Sequence, residues 1–270
     1  MELSKSRFLQ TVSGVTFAGL ALLGQSTAHA EDALADGKLT VGMEIAYPPF
    51  ESYDGDKVVG FDPELATLLS NKLNVEAEFI DAKFTNLILG IKSQKFDAVI
   101  SGMYVTPERI LVTEAIPYAR TGAFILTLKD AEIKPIDENG LCGLKVGLQQ
   151  GTSWVKDLTA LSDGYCAENN KGSITIQEFP TAPEVSQALI SHNVDAQVEI
   201  AGAARMFVER SRGRIEISSP ELIYPQTMGL FLKKGDMALK NKVEDAMAQI
   251  KADGSYQMLI DKYELTAVSE

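Results

Sequence analysis

The sequence predicts an α/β fold built as two lobes with a cleft between them. Three observations carry this expectation. Strand-like and helix-like segments alternate from Leu39 onward, the alternation starts afresh near Lys145, and no Gly/Ser/Pro-rich linker separates the two runs. Strands alternating with helices build parallel sheets covered by helices. A length of 270 residues suits one large domain or two ordinary ones, and 45% hydrophobic residues can fill cores of that size.

In the first run, Leu39–Met43 reads as a strand. Phe61-Asp62-Pro63-Glu64 opens a helix, with Asp62 as the expected cap, Pro63 suited to the first turn and Glu64 complementing the dipole. Leu65, Leu68, Leu69 and Leu73 then recur at helical spacing. Val75–Ile80 is a strand, Leu87, Ile88 and Ile91 mark one face of a short helix, Phe96–Ile100 is a third strand, and Gly122–Leu128 is a further one. The second run has strands at Lys145–Gln149, Ile174–Glu178 and Asp195–Val198, with helices after Thr152, from Pro183 to Ser191, and up to Arg210. Gly229–Lys233 is a late strand. Helices at Asp236–Ala252 and Tyr256–Tyr263 close the chain, with Gly254 as the stop between them.

Composition excludes several functions. Asp and Glu outnumber Lys and Arg by 37 to 25, a formal charge of −12, and no basic stripe offsets it, so nucleic acid is not an expected partner. Two histidines and two cysteines argue against zinc sites and most catalytic triads; neither a metal nor a cofactor is expected. Residues 1–30 read as a cleaved secretory signal: Lys5 and Arg7, a short apolar run, then Ala28-His29-Ala30. His192 is then the one histidine of the mature chain, read as a polar helix end. Export to an oxidising compartment leaves Cys142 and Cys166 one possible bridge, and a disulfide is expected.

The densest chemical signal is Phe96–Arg109. A buried strand ends at Ser101-Gly102, and a helix starts with Thr106 as cap and Pro107 in its first position. Unpaired backbone N–H groups, a hydroxyl and Arg109 thus converge, and a guanidinium matches a carboxylate with two parallel bonds.

Together with Tyr47-Pro-Pro-Phe-Glu51 and Gly60-Phe-Asp62, the run Ser101–Arg109 resembles the bacterial solute-binding protein family 3, the periplasmic polar amino-acid-binding proteins of ABC importers. Lys145–Ser153 resembles that family's second-lobe ligand loop. The resemblance spans about 37–265. It implies a type II periplasmic binding protein, with lobe 1 discontinuous over 31–120 and 228–270, lobe 2 over 121–227, and crossovers near Ala119–Ala123 and Tyr224–Met228. It implies that Arg109 holds the ligand carboxylate and that Ser101, Gly102 and Tyr104 contact carboxylate and amine. Tyr47 and Phe84 would sandwich the ligand side chain, Glu44 would select it, and Gln149, Thr152 and Ser153 would close over the carboxylate. The implied partners are a small carboxylate ligand and an inner-membrane ABC permease, for a monomer in the periplasm.

Two residues depart from the family pattern. Where members place an aspartate against the α-ammonium, this chain has Ile200, with Glu199 one step earlier, and a one-residue step turns a strand side chain to the other face. Tyr104 replaces the usual Ser or Thr. A buried ammonium without a partner is costly. Either Glu199 or Glu44 meets the amine, or the ligand nitrogen is substituted, as in opine-type sugar–amino-acid conjugates. The rival is an enzyme: some relatives of this architecture are cyclohexadienyl dehydratases, with an acidic residue such as Glu199 or Glu44 as proton donor. No glutamate is marked by a partner in the sequence, so a non-catalytic receptor is the expectation.

Overall fold

The structure is a computed structural model that describes residues 34–268; the expected signal at 1–30 lies outside the described residues. The chain runs β1 (Lys38–Met43), β2 (Ser52–Asp54), β3 (Lys57–Val59), α1 (Phe61–Leu73), β4 (Glu76–Asp81), α2 (Leu87–Lys92), β5 (Ala98–Val99), α3 (Pro107–Val112) and β6 (Thr113–Leu128). It continues through β7 (Lys145–Gln149), α4 (Trp154–Leu161), β8 (Thr175–Phe179), α5 (Ala182–Ile190), β9 (Ala196–Ile200), α6 (Ala201–Arg210), β10 (Ile215–Ile217) and β11 (Ile223–Lys233). It ends with α7 (Met237–Ala252), α8 (Ser255–Lys262) and β12 (Thr266–Ala267).

The main sheet has the order β4-β1-β5-β11-β6-β9-β7-β8, with β10 and β12 also on β6; β2 and β3 form a separate hairpin. Two parallel groups flank a central antiparallel pair. On one side β1 lies between β4 and β5, and on the other β7 lies between β8 and β9, all parallel. The residues that these strands bury are apolar: Leu39 and Val41 of β1 share the core with Leu65 and Leu69 of α1, and Val146, Leu148 and Val198 share it with Leu158 of α4 and Leu189 of α5, while the edge strands β4 and β8 keep polar, partly exposed residues. The central pair, β6 and β11, runs through both groups. β6 pairs with β11 from Thr113 to Ala123, and Ala123 to Leu126 also pair with β9.

Local chemistry explains most boundaries. Thr106 accepts the Arg109 N–H and Pro107 leads α3; Asp236 accepts the Leu239 N–H at the start of α7. Gly254 takes the left-handed φ of +81° between α7 and α8. His192 lies exposed just beyond α5. Cys142 and Cys166 form the disulfide, joining the turn before β7 to the π-helical turn after α4.

Three expectations are corrected. α1 is capped by the Gly60 backbone, not by Asp62, whose carboxylate turns into the core. Gly60 lies so close to Phe50 that a Cβ would sit 2.2 Å from the Phe50 carbonyl oxygen, which is how the helix start is drawn against that segment. β5 shrinks to two residues. The strand expected at Gly122–Leu128 extends back to Thr113, and Pro117 is accommodated because the register against β11 shifts between Met228 and Gly229, beside it.

Candidate functional site

The ends of β1, β5 and β7 and the starts of α3 and α4 face one another between the lobes. Tyr47, Phe84, Gly102, Tyr104 and Arg109 from the first lobe meet Gln149, Thr152, Ser153 and Trp154 from the second around an enclosed space of about 20 Å³. That is room for about one water, so a larger molecule enters only if the lobes part or side chains move.

Arg109 spans this junction. Its Nη1 donates to the Tyr104 carbonyl at 2.6 Å, its Nη2 donates to the Gly151 carbonyl at 3.0 Å, and its guanidinium lies 5.6 Å from the Phe84 ring centroid. Among the described residues no carboxylate pairs with it. Burial pulls its pKa down to about 10, against the opposing pull of Glu108, so it stays a cation at neutral pH. Outside the Arg109–Gly151 bridge the cleft widens into a groove of about 750 Å³, edged by Glu108, Lys156 and Gln226; Lys156 and Glu108 join the lobes across it.

Two buried glutamates complete the polar frame. Glu199 is 3% exposed and accepts from the Tyr47 hydroxyl at 2.5 Å, from Gln197 Nε2 at 3.1 Å and from the Ile200 N–H at 2.9 Å. Burial raises its pKa to about 7 despite those three donors, which favour the ionised form. Glu44 accepts from Gln149 Nε2 at 2.5 Å and from the Phe84 N–H at 3.3 Å, and burial again raises its pKa. Tyr47–Glu199 and Glu44–Gln149 are therefore hydrogen bonds from one lobe to the other. Tyr104 Oη and Trp154 Nε1 are buried without a hydrogen-bond partner, and their rings meet edge to face at 5.6 Å. Free hydrogen-bonding capacity at this cavity is thus supplied by donors: Arg109, Trp154 and the Tyr104 hydroxyl.

The structure brings nearly all the residues of interest to this junction, but not in one role. Tyr47, Phe84, Tyr104, Arg109, Gln149 and Ser153 border the cavity, with Gln226 Nε2 donating to Ser153 Oγ at 3.4 Å. Thr152 also borders it, yet its hydroxyl donates back to the Gln149 carbonyl. Ser101 does not reach the cavity: its hydroxyl donates to Glu51 at 2.5 Å and accepts from the Glu44 N–H at 3.1 Å. The Gly102 N–H likewise turns inward, to Asp62 at 2.6 Å. Ile200 is apolar and 1% exposed. Trp154 and Glu51 were not among the expected site residues; for Trp154, its place directly after the Thr152-Ser153 loop was the available signal. No group of His, Cys, Asp or Glu suited to a metal ion occurs among the described residues.

The family model of the bacterial extracellular solute-binding proteins, family 3, matches residues 39–266. The chain is 29% identical over 237 residues to the ABC transporter arginine-binding protein 1 of Escherichia coli (strain K12), covering 86% of this chain and 92% of that one. It is 31% identical to the L-cystine-binding protein TcyJ of the same organism, covering 84% and 82%. An ancestral arginine-binding protein bound to glutamine superposes with a TM-score of 0.75 at 30% identity, covering 84% and 97%.

Proposed function

Because this chain belongs to the bacterial extracellular solute-binding proteins of family 3, we propose that it is the receptor of an ABC importer, closing its two lobes on an amino-acid-type ligand. It is a binding protein rather than an enzyme, as its named relatives are. The observation that carries the proposal is Arg109, a half-buried cation at the lobe junction whose partners are neutral carbonyls and a ring face. A carboxylate offered to it gains charge-assisted bonds worth about 1.5–3 kcal/mol each. A few such bonds with aromatic burial reach the roughly −8 kcal/mol of micromolar binding after ordering costs.

In this reading Arg109 takes the carboxylate, with Trp154 Nε1 and Tyr104 Oη as further donors, while Tyr47 and Phe84 flank the side chain. Glu199 meets the amine and Glu44 the far end of the side chain, each exchanging a partner in the opposite lobe for the ligand. Ser101 and Gly102 support the site from behind. Lobe 1 comprises 31–120 and 228–270, lobe 2 comprises 121–227, and closure bends the β6–β11 pair near Ala119–Ala123 and Tyr224–Met228. Only the closed form offers both sets of contacts, so ligand shifts the population toward it. A monomer released by signal cleavage into the periplasm would present that form to an inner-membrane permease.

A second reading concerns the ligand nitrogen. The apolar Ile200 and the unpartnered donors at Trp154 and Tyr104 favour a ligand with a substituted amine and extra acceptor groups, such as an opine-type conjugate. A calorimetric panel of L-arginine, L-cystine, L-glutamine and an N-substituted conjugate tests both. Micromolar binding of a free amino acid supports the first reading, and binding of the conjugate alone supports the second. No heat from any carboxylate ligand refutes the assignment of Arg109.

A further inference from the structure

We infer that Glu51 and Asp62 share one proton, and that this buried pair is the positioning device that holds the Ser101–Gly102 turn behind the cleft. Neither side chain borders the cavity. The shared proton stands independently of the proposed function; its value for binding rests on that reading.

Four segments converge on the pair. The loop after β1 carries Glu51, and the start of α1 carries Asp62. Backbone bonds join the two: the Phe61 N–H donates to the Pro49 carbonyl at 3.1 Å and the Asp62 N–H to the Phe50 carbonyl at 3.0 Å. The two carboxyls then grip consecutive residues of the turn. The Ser101 hydroxyl donates to Glu51 Oε1 at 2.5 Å, and the Gly102 N–H donates to Asp62 Oδ2 at 2.6 Å. From β6 the Tyr118 hydroxyl donates to Asp62 Oδ1 at 3.0 Å. Both acids have no exposed surface.

One atom is left over. Glu51 Oε2 is buried with no donor beside it. An ionised carboxylate in that position would leave a charged oxygen unpaired next to a second carboxylate, which is among the costliest arrangements in a protein interior. The titratable groups acting on the pair are Glu44, Tyr47, Tyr118 and Tyr263, acids and phenols that add no positive charge. A proton on Glu51 Oε2, donated to Asp62, removes the difficulty. It turns an orphaned acceptor into a donor and leaves Asp62 as the ionised member, both of whose oxygens already receive hydrogen bonds. The proton is taken from solvent as the chain folds, and nothing else is transferred. Burial raises both groups, Asp62 to about 6 and Glu51 well above the carboxylate range, and the neighbouring Asp62 charge adds to the rise at Glu51. This is how two carboxyls behave when they share a site.

The test needs no ligand. Infrared spectra of the intact protein in deuterated buffer near neutral pH should show protonated-carboxyl absorption, one component of which Glu51→Gln removes and Glu199→Gln leaves in place. The folded pair holds its proton above the usual carboxylate pKa of about 4.3, so its contribution to stability is full below that pH and is lost as pH rises. Glu51→Gln, which keeps a neutral donor in place, should therefore gain in melting temperature relative to wild type as pH increases. Asp62→Ala should raise amide exchange at Gly102 at least tenfold, because it removes the side-chain acceptor from that N–H. A band unaffected by Glu51→Gln, or parallel melting curves across pH, overturns the shared proton. Unchanged Gly102 exchange in Asp62→Ala overturns the positioning role. Failure of the ligand panel would sink the proposed function while leaving each of these results readable.

Discussion

Arg109 in the first lobe, half-buried, and Glu199 in the second, buried, are both ionisable groups without a counter-ion beside them, and the fold treats them differently. Arg109 is held by two carbonyls and a ring face, and at a pKa of about 10 it remains charged throughout the physiological range. Glu199 is held by three donors, yet burial brings its pKa to about 7, so it sheds its charge by taking a proton. A guanidinium has no such escape. The arginine is thus a fixed charge and the glutamate an adjustable one, which on the proposed function suits ligands that share a carboxylate while their other functional groups vary.

The largest expected effect breaks the fixed end. Arg109→Ala removes at least two charge-assisted bonds and should weaken binding of the panel's best ligand by on the order of 3 kcal/mol, more than a hundredfold by calorimetry. An affinity within tenfold of wild type would mean that the carboxylate lies elsewhere. Next comes the adjustable end. In the ligand-free protein Glu199 is largely protonated below pH 7 and ionised above it, and a ligand amine favours the ionised form. Affinity for a cationic amine should therefore rise as pH increases through about 7. Glu199→Gln should cost roughly tenfold in affinity above that pH and flatten the rise; a pH profile identical to wild type would remove Glu199 from amine recognition. The smallest effect sharpens the comparison. Tyr47→Phe deletes one donor that favours the ionised carboxylate, so the midpoint of that rise should move to higher pH, with a change of about 1 kcal/mol in affinity. A midpoint that stays put or falls would show that the phenol does not tune this group.

Much of the fold was legible because it rests on local rules. Periodic apolar residues, the Thr106-Pro107 start of α3 and the Gly254 break are each decided within a few residues of chain. The site was legible mainly through its resemblance to a family, since Tyr47, Arg109 and Gln149 come from distant stretches and only their meeting gives them meaning. What escaped were long-range decisions. Asp62 has the residue type and position of a helix cap, and nothing nearby shows that Gly102 and Tyr118, 40 and 56 residues on, would draw it inward. Ser101 reads as a ligand hydroxyl until Glu51 claims its proton. β6 hides because Pro117 imitates a break, and only the shifted register of its partner strand reveals continuity.

That pair of strands has a mechanical corollary. Two spans crossing side by side from one body to the other leave a single easy bend, about a line drawn across both, whereas twisting would shear their ladder. The irregular pairing between Ile223 and Gln226 softens the ladder at that line, and at Gly122 a Cβ would already crowd the Ile223 carbonyl at 3.0 Å. On the proposed closure, substitutions there would alter how often the jaws swing, and so the speed of capture and release, while leaving the choice of cargo to side chains far from the pivot.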